Sequence, residues 1–211
     1  MEAVLPRQYP VLKSWARALL VVAWAALVAV GVWLLTSYAN APGPSAGVAT
    51  DWANGGGLGR DPLRPTLLMF LHPHCPCSRA SVEELNTLLA RAMVKPVVKA
   101  VFIRPSGAAA GWERQGLWRS AEAIPGVEAV ADPEGAEAKR FGIETSGHVL
   151  LFSPGGARLF SGGITSARGH SGDNAGLDLV LERLRNPSLP AASTSVFGCL
   201  LFAATCAEEK P

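Results

Sequence analysis

"LLMFLHPHCPCSRASVEEL", Leu67 to Leu85, decides how the rest of the chain is read. An apolar block runs into His72, Pro73, His74, Cys75, Pro76 and Cys77, and helical spacing follows. Thr66–Leu71 is short and continuously apolar, which predicts a strand buried on both faces. Val82, Leu85, Leu88, Leu89 and Met93 recur at three-to-four spacing, so a helix is predicted from about Pro76 to Met93. "VVKAVFI", Val97–Ile103, is the next strand. Together these make a βαβ unit with parallel strands and a right-handed crossover.

Downstream the pattern continues. Trp112–Ile124 reads as a helix with Trp112, Leu117 and Trp118 as candidate core residues. Val127–Ala131 reads as a strand and Pro133–Phe141 as a short helix. Val149–Phe152 and Arg158–Ser161, joined by "SPGGA", predict an antiparallel hairpin. Asn174–Arg185 closes the pattern as a helix with Leu177, Val180, Leu181 and Leu184 on one face, and Asp173 is expected to cap it. The order implies an α/β sandwich with a mixed central sheet.

Upstream, Ala18–Leu35 is apolar and carries no charge. As a helix it would span about 27 Å, close to a hydrocarbon core of about 30 Å. Trp15 and Tyr38 flank it, Lys13 and Arg17 precede it, and no further Lys or Arg occurs before Arg60. The positive-inside rule then leaves the N-terminus in the cytoplasm and exports the remainder. Ala39-Asn40-Ala41 has the form of a signal cleavage site, but Pro42 would follow the cut, so an uncleaved anchor is the expectation. Either way the compartment permits disulfides. The chain therefore divides into a cytoplasmic tail (1–17), a transmembrane anchor (18–37), a Gly/Pro/Ala/Ser-rich flexible linker (38–64), the α/β domain (65–186) and a C-terminal tail (187–211).

A net charge of +2 over 211 residues gives no reason to expect a nucleic-acid partner. The glycines of "SPGGARLFSGG" lack the lysine and helix of a phosphate loop and read as turns.

The chemistry concentrates at the cysteines. Pro76 suits the first helical position, which makes Cys75 the predicted N-cap. A thiolate there would face free N–H groups and the positive end of the helix dipole, lowering its pKa. Arg79 and His74 are candidates to add to this. Cys75 is thus the expected nucleophile and Cys77 the resolving thiol, though a Cys-x-Cys disulfide closes a small and strained ring. His72, His74, Cys75 and Cys77 are also N and S donors of the kind that hold copper or zinc. No cofactor is expected on the first reading, and copper on the second.

The succession of strand, cysteine pair at a helix mouth, βαβ, hairpin and final helix, over about Pro65 to Arg185, resembles the thioredoxin-like superfamily. Phe70 and Cys75 match that motif; Cys77 falls one residue early and Ser78 stands where the second cysteine belongs. The anchored layout resembles TlpA-type proteins, and "HPHCPCSRAS" and "FSGGITSARGHSGDNAG" resemble RedB-type proteins. The resemblance implies thiol-disulfide exchange with thiols or disulfides of exported proteins, in the periplasm or outside the cell, from a cytoplasmic-membrane anchor. It also implies a substrate-binding loop at Gly147 and His148, where the family carries a cis-proline, and it leaves open whether His148 faces Cys75. Copper-delivery proteins of the Sco type share the fold, and they set the alternative, with His148 or His170 as distant ligands. A non-catalytic interaction domain is a third reading. Cys199 and Cys206 are expected to pair with each other; alternatively the tail packs back and Cys199 relays electrons to Cys75. Four cysteines allow three pairings, and spacing does not choose among them.

Overall fold

A computed structural model describes residues 12–45 and 47–202, and the chain divides into two compact units, Met1–Ala39 and Asn40–Pro211. The first holds one helix, α1 (Leu12–Ala39), whose segment Ser14–Ala39 is long and apolar enough to cross a membrane.

The second unit is built on a six-stranded sheet. Its elements are β1 (Thr66–Leu71), α2 (Ser78–Arg91), β2 (Val97–Arg104), α3 (Gly116–Glu122), β3 (Val127–Pro133), α4 (Ala136–Phe141), β4 (His148–Phe152), β5 (Arg158–Gly162), α5 (Ala175–Arg185) and β6 (Ala192–Ser193). The strand order is β3-β2-β1-β4-β5-β6. β1, β2 and β3 are parallel, β4 is antiparallel to β1 and to β5, and β6 is parallel to β5. This is the mixed-sheet, thioredoxin-like sandwich expected from the order of elements. Every residue of β1 is buried, which is why its sequence is apolar without alternation.

Alternate residues of β1 serve the two faces. Leu67, Met69 and Leu71 pack with Val82, Leu85, Leu88 and Leu89 of α2, and Val180 and Leu184 of α5 share that core. Leu68 and Phe70 face the other side with Leu150, Phe152, Ile143 and Phe141.

Two segments depart from expectation. Residues 38–64 were expected to form a flexible linker, yet Val48, Ala49, Trp52, Ala53 and Leu58 join the second core. Ala49 N–H donates to Phe141 O at 3.0 Å, Trp52 N–H to Gly156 O at 2.8 Å, and the Arg158 guanidinium to Ala49 O at 2.7 Å. The Trp52 ring meets Phe141 and Phe152 edge-on at 5.4 and 5.2 Å. Likewise the expected tail from 187 onward belongs to the domain as far as residue 202. It supplies β6 and buries Val196 and Leu201. Glycine-rich composition signals close backbone approach here: a Cβ at Gly142, which has φ +70°, would lie 2.4 Å from Gly47 O.

Smaller differences have local causes. α5 is capped by Asn174, whose side chain accepts from Leu177 N–H at 2.8 Å, and not by Asp173, which stands one residue too early. The helix expected from Trp112 begins at Gly116.

Candidate active site

The turn between β1 and α2 is held by its own backbone. Cys75 N–H donates to His72 O at 3.1 Å, and Ser78 N–H donates to Cys75 O at 3.1 Å. α2 begins at Ser78, and the residue before it is Cys77, already helical at φ −66° and ψ −28°. Cys75 therefore stands outside the helix and is not its N-cap; the helix begins two residues later than Pro76 implied.

What favours the Cys75 thiolate is a partner from the far end of the chain. Cys75 Sγ and Cys199 Sγ are hydrogen-bonded at 2.8 Å. With the proton on Cys199, the Cys75 pKa falls to about 5, first through that bond and further through the Ser78 hydroxyl and the backbone N–H groups of Cys199 and Ser78, against the opposing effect of burial. The same bond, with burial, pushes the Cys199 thiol up. Burial and the Cys75 charge push Cys77 up, while the Arg168 cation draws both Cys77 and Cys199 the other way. Cys75 is 4% exposed, and Cys77 and Cys199 are half-buried.

Cys199 is placed by strand-like pairing. Ser146 N–H donates to Cys199 O at 2.8 Å, Leu201 N–H donates to Glu144 O at 2.8 Å, and Thr145 and Leu200 form an antiparallel bridge. A Cβ at Gly198 would sit 1.9 Å from Ser146 O, so this approach requires glycine. Arg168 donates to Gly198 O. Ser146 ties the segment to the cysteine turn: its hydroxyl accepts from His72 N–H at 2.7 Å and lies 2.6 Å from Ser78 Oγ. Glu84, buried in α2, holds the loop beyond Arg168 by accepting from Gly172 N–H at 2.7 Å and from the Asn174 amide at 3.2 Å.

Gly147 lies beside this pairing, with φ +87° and its N–H donating to Phe70 O at 2.8 Å; a Cβ there would be 2.7 Å from Ser81 Oγ. His148 does not face Cys75. It shares the sheet face of Leu150 and Phe152, opposite α2, and its Nε2 is 2.9 Å from Ser161 Oγ. Burial, and then the Arg158 charge, lower its pKa to about 4. Arg79 and His74 are exposed and line one shallow cavity with Cys75, Pro76 and Leu117. The Cys75 shift has its causes at Cys199 and Ser78.

The donor set also differs from the one expected for a metal. Among the described residues, the sulfurs of Cys75, Cys77 and Cys199 lie within 4.8 Å of one another. His72 and His74 turn to other partners: His72 Nδ1 accepts from His74 N–H at 3.2 Å, and their rings meet Trp112 at 5.8 and 4.4 Å. His170 is exposed, with Nδ1 2.9 Å from Arg168 O. The three sulfurs can exchange disulfides, and they are also the set that would hold a soft metal ion. Cys206 lies outside the described residues. Sequence reasoning missed Arg168, which sits in the Ser/Gly-rich stretch after β5 where nothing local marks it, and offered the approach of Cys199 to Cys75 only as the alternative to a Cys199–Cys206 pair.

No protein-family model matches the sequence, and no curated protein matches it. Among solved structures, the chain is similar to an uncharacterized conserved protein from Geobacillus kaustophilus at 18% identity, over 77% of this chain and 92% of that one, with a TM-score of 0.51. A hypothetical protein from Sinorhizobium meliloti 1021 overlaps at 17% identity, over 76% and 97%, with a TM-score of 0.52. A secreted disulfide oxidoreductase of Mycobacterium tuberculosis overlaps more loosely, at 16% identity over 65% and 93%, with a TM-score of 0.42. At such identities the likeness is one of fold.

Proposed function

We propose that this chain is a membrane-tethered thiol-disulfide oxidoreductase that acts on exported proteins, with Cys75 as its nucleophile. One observation carries the reading: a nearly buried cysteine before α2 whose thiolate is favoured down to a pKa of about 5 by a 2.8 Å sulfur partner and by Ser78. The thiolate is the attacking species in disulfide exchange, so this environment keeps Cys75 reactive at neutral pH. The fold supports the reading by presenting the thiol at the end of a buried strand. α1 would anchor the chain in the cytoplasmic membrane with the second unit exported, since Lys13 and Arg17 precede the apolar run. The likeness to anchored TlpA- and RedB-type proteins belongs to the same proposal.

The test is disulfide exchange by the detergent-solubilised full chain. Wild type should reduce a model protein disulfide such as insulin in the presence of a dithiol, and Cys75→Ser should fall to the uncatalysed rate. Exchange that persists in Cys75→Ser would overturn the assignment.

A further inference from the structure

Resting on the reading of Cys75 as nucleophile, we infer that its intramolecular redox partner is Cys199 on the docked C-terminal segment, and not the neighbouring Cys77. Two independent features of the structure point there. The first is the approach of the sulfurs, 2.8 Å across a sequence separation of 124 residues. The second is how the C-terminal segment is held. Residues 199–201 lie antiparallel to 144–146 through two 2.8 Å backbone bonds, and Gly198 meets Ser146 at a distance no other side chain tolerates. That backbone precedes Gly147, in the loop expected to receive a partner's strand. The chain's own segment therefore sits where an extended partner strand would pair, with its cysteine against Cys75. Main-chain pairing of this kind fixes register while leaving side-chain identity free. The Cys77 sulfur also lies within 4.8 Å of Cys75, but the two share a tight turn, and a bond between them would close a small ring.

The exchange balances as follows in the reductive direction. The Cys75 thiolate attacks one sulfur of a partner protein's disulfide. A Cys75–partner bond forms, the partner's bond breaks, and its second sulfur leaves as a thiolate that takes up a proton from solvent. Cys199 then gives up its proton and attacks Cys75 Sγ. The Cys75–Cys199 bond forms, the Cys75–partner bond breaks, and the departing partner thiolate takes up a proton. Two electrons pass from the two thiols to the partner, which leaves as a dithiol. A dithiol reductant, protein or small molecule, returns the chain to its starting state. The segment has to leave the 144–146 backbone for a partner strand to enter, and its return both resolves the mixed disulfide and expels the product.

The experiment uses the full chain in detergent, with Cys206→Ser as background so that Cys199 has no competitor in the tail. The protein is oxidised with glutathione disulfide, trapped with an alkylating agent and mapped by peptide mass. The inference expects a Cys75–Cys199 linkage in this background and also in Cys77→Ser. It expects Cys199→Ser to accumulate the Cys75–glutathione mixed disulfide at least about ten-fold over its level with Cys199 present, as loss of a resolving thiol requires. A Cys75–Cys77 linkage, with no accumulation in Cys199→Ser, overturns the inference while leaving Cys75 as nucleophile. Cys75 inert to glutathione disulfide in every variant overturns the underlying reading instead. A second measurement guards against misfolding of Cys199→Ser: the mapped linkage in protein that retains all four cysteines. A Cys199–Cys206 bond there, with Cys75 left as a free thiol, also overturns the inference.

Discussion

Replacing Cys199 by alanine should move the titration midpoint of Cys75 while leaving its exchange rate at pH 7 almost unchanged. The Cys75 pKa of about 5 owes its largest lowering to the Cys199 thiol, and burial works against it. Without the Cys199 thiol, only the Ser78 hydroxyl and the backbone N–H groups of Ser78 and residue 199 oppose burial, so the midpoint rises toward the free-thiol value of about 8.5. At pH 7 the thiolate fraction then drops from about 99% to about 3%, a loss of about 30-fold. Each thiolate becomes more nucleophilic, however, by about 25- to 55-fold for a Brønsted coefficient of about 0.4–0.5 over that rise. The two effects nearly cancel at neutral pH and separate elsewhere. At pH 5.5 the variant should exchange more than about ten-fold slower than its parent, and at pH 9 more than about ten-fold faster. The assay is the rate at which a small neutral disulfide consumes the Cys75 thiol between pH 4 and 10, counting the mixed disulfide together with the Cys75–Cys199 bond that follows it in the parent. Cys77→Ser and Cys206→Ser serve as background, and product is read by mass. A midpoint still near 5 in Cys199→Ala would refute the reasoning, because the lowering would then come from the turn or from α2 itself.

Three further outcomes follow from the same contacts. The folded-state pKa of Cys75 lies below its unfolded value, so its contribution to stability is fully present above about pH 8.5 and is lost as pH falls through about 5. Cys199, held above its ordinary value, acts in the opposite sense once pH exceeds about 8.5. The thermal midpoint of the reduced protein should climb from pH 5 to pH 8 and then level or fall; an equal climb in Cys75→Ser would show that other groups cause it. Gly198→Ala places a Cβ 1.9 Å from Ser146 O, so the segment must shift. Alkylation of Cys199 should quicken at least about ten-fold and stability drop by about 1–3 kcal/mol, and unchanged protection of Cys199 would contradict the pairing. Leu201 is 2% exposed in the second core, so Leu201→Ala should cost about 2–5 kcal/mol in denaturant unfolding. A loss below about 0.5 kcal/mol, ordinary for a surface position, would mean that the C-terminal segment is not part of the core.

The central elements were legible because each carries a local signal of its own. Thr66–Leu71 is apolar on both faces because both faces are covered, and α2 shows its buried stripe in Val82, Leu85, Leu88 and Leu89. The flanking segments carry no such signal. Trp52, Leu58, Val196 and Leu201 reach the core singly from irregular backbone, so no period marks them, and glycines that permit close approach read in sequence as flexibility. The candidate site divides the same way. Cys75 can be singled out from its neighbours Pro76 and Ser78, but the group that most favours its thiolate lies 124 residues away. Arg168, which acts on Cys77 and Cys199, is set in a loop of serines and glycines. Helix-dipole reasoning gave the right direction for Cys75 and the wrong cause. The largest lowering at Cys75 comes from the Cys199 thiol, and the Ser78 hydroxyl and the nearby backbone N–H groups add less, so the Cys75 charge draws chiefly on a thiol delivered by tertiary pairing. The pH dependence of Cys75 therefore follows from whether the Cys199 thiol is in place, and a motif of six residues carries no record of that.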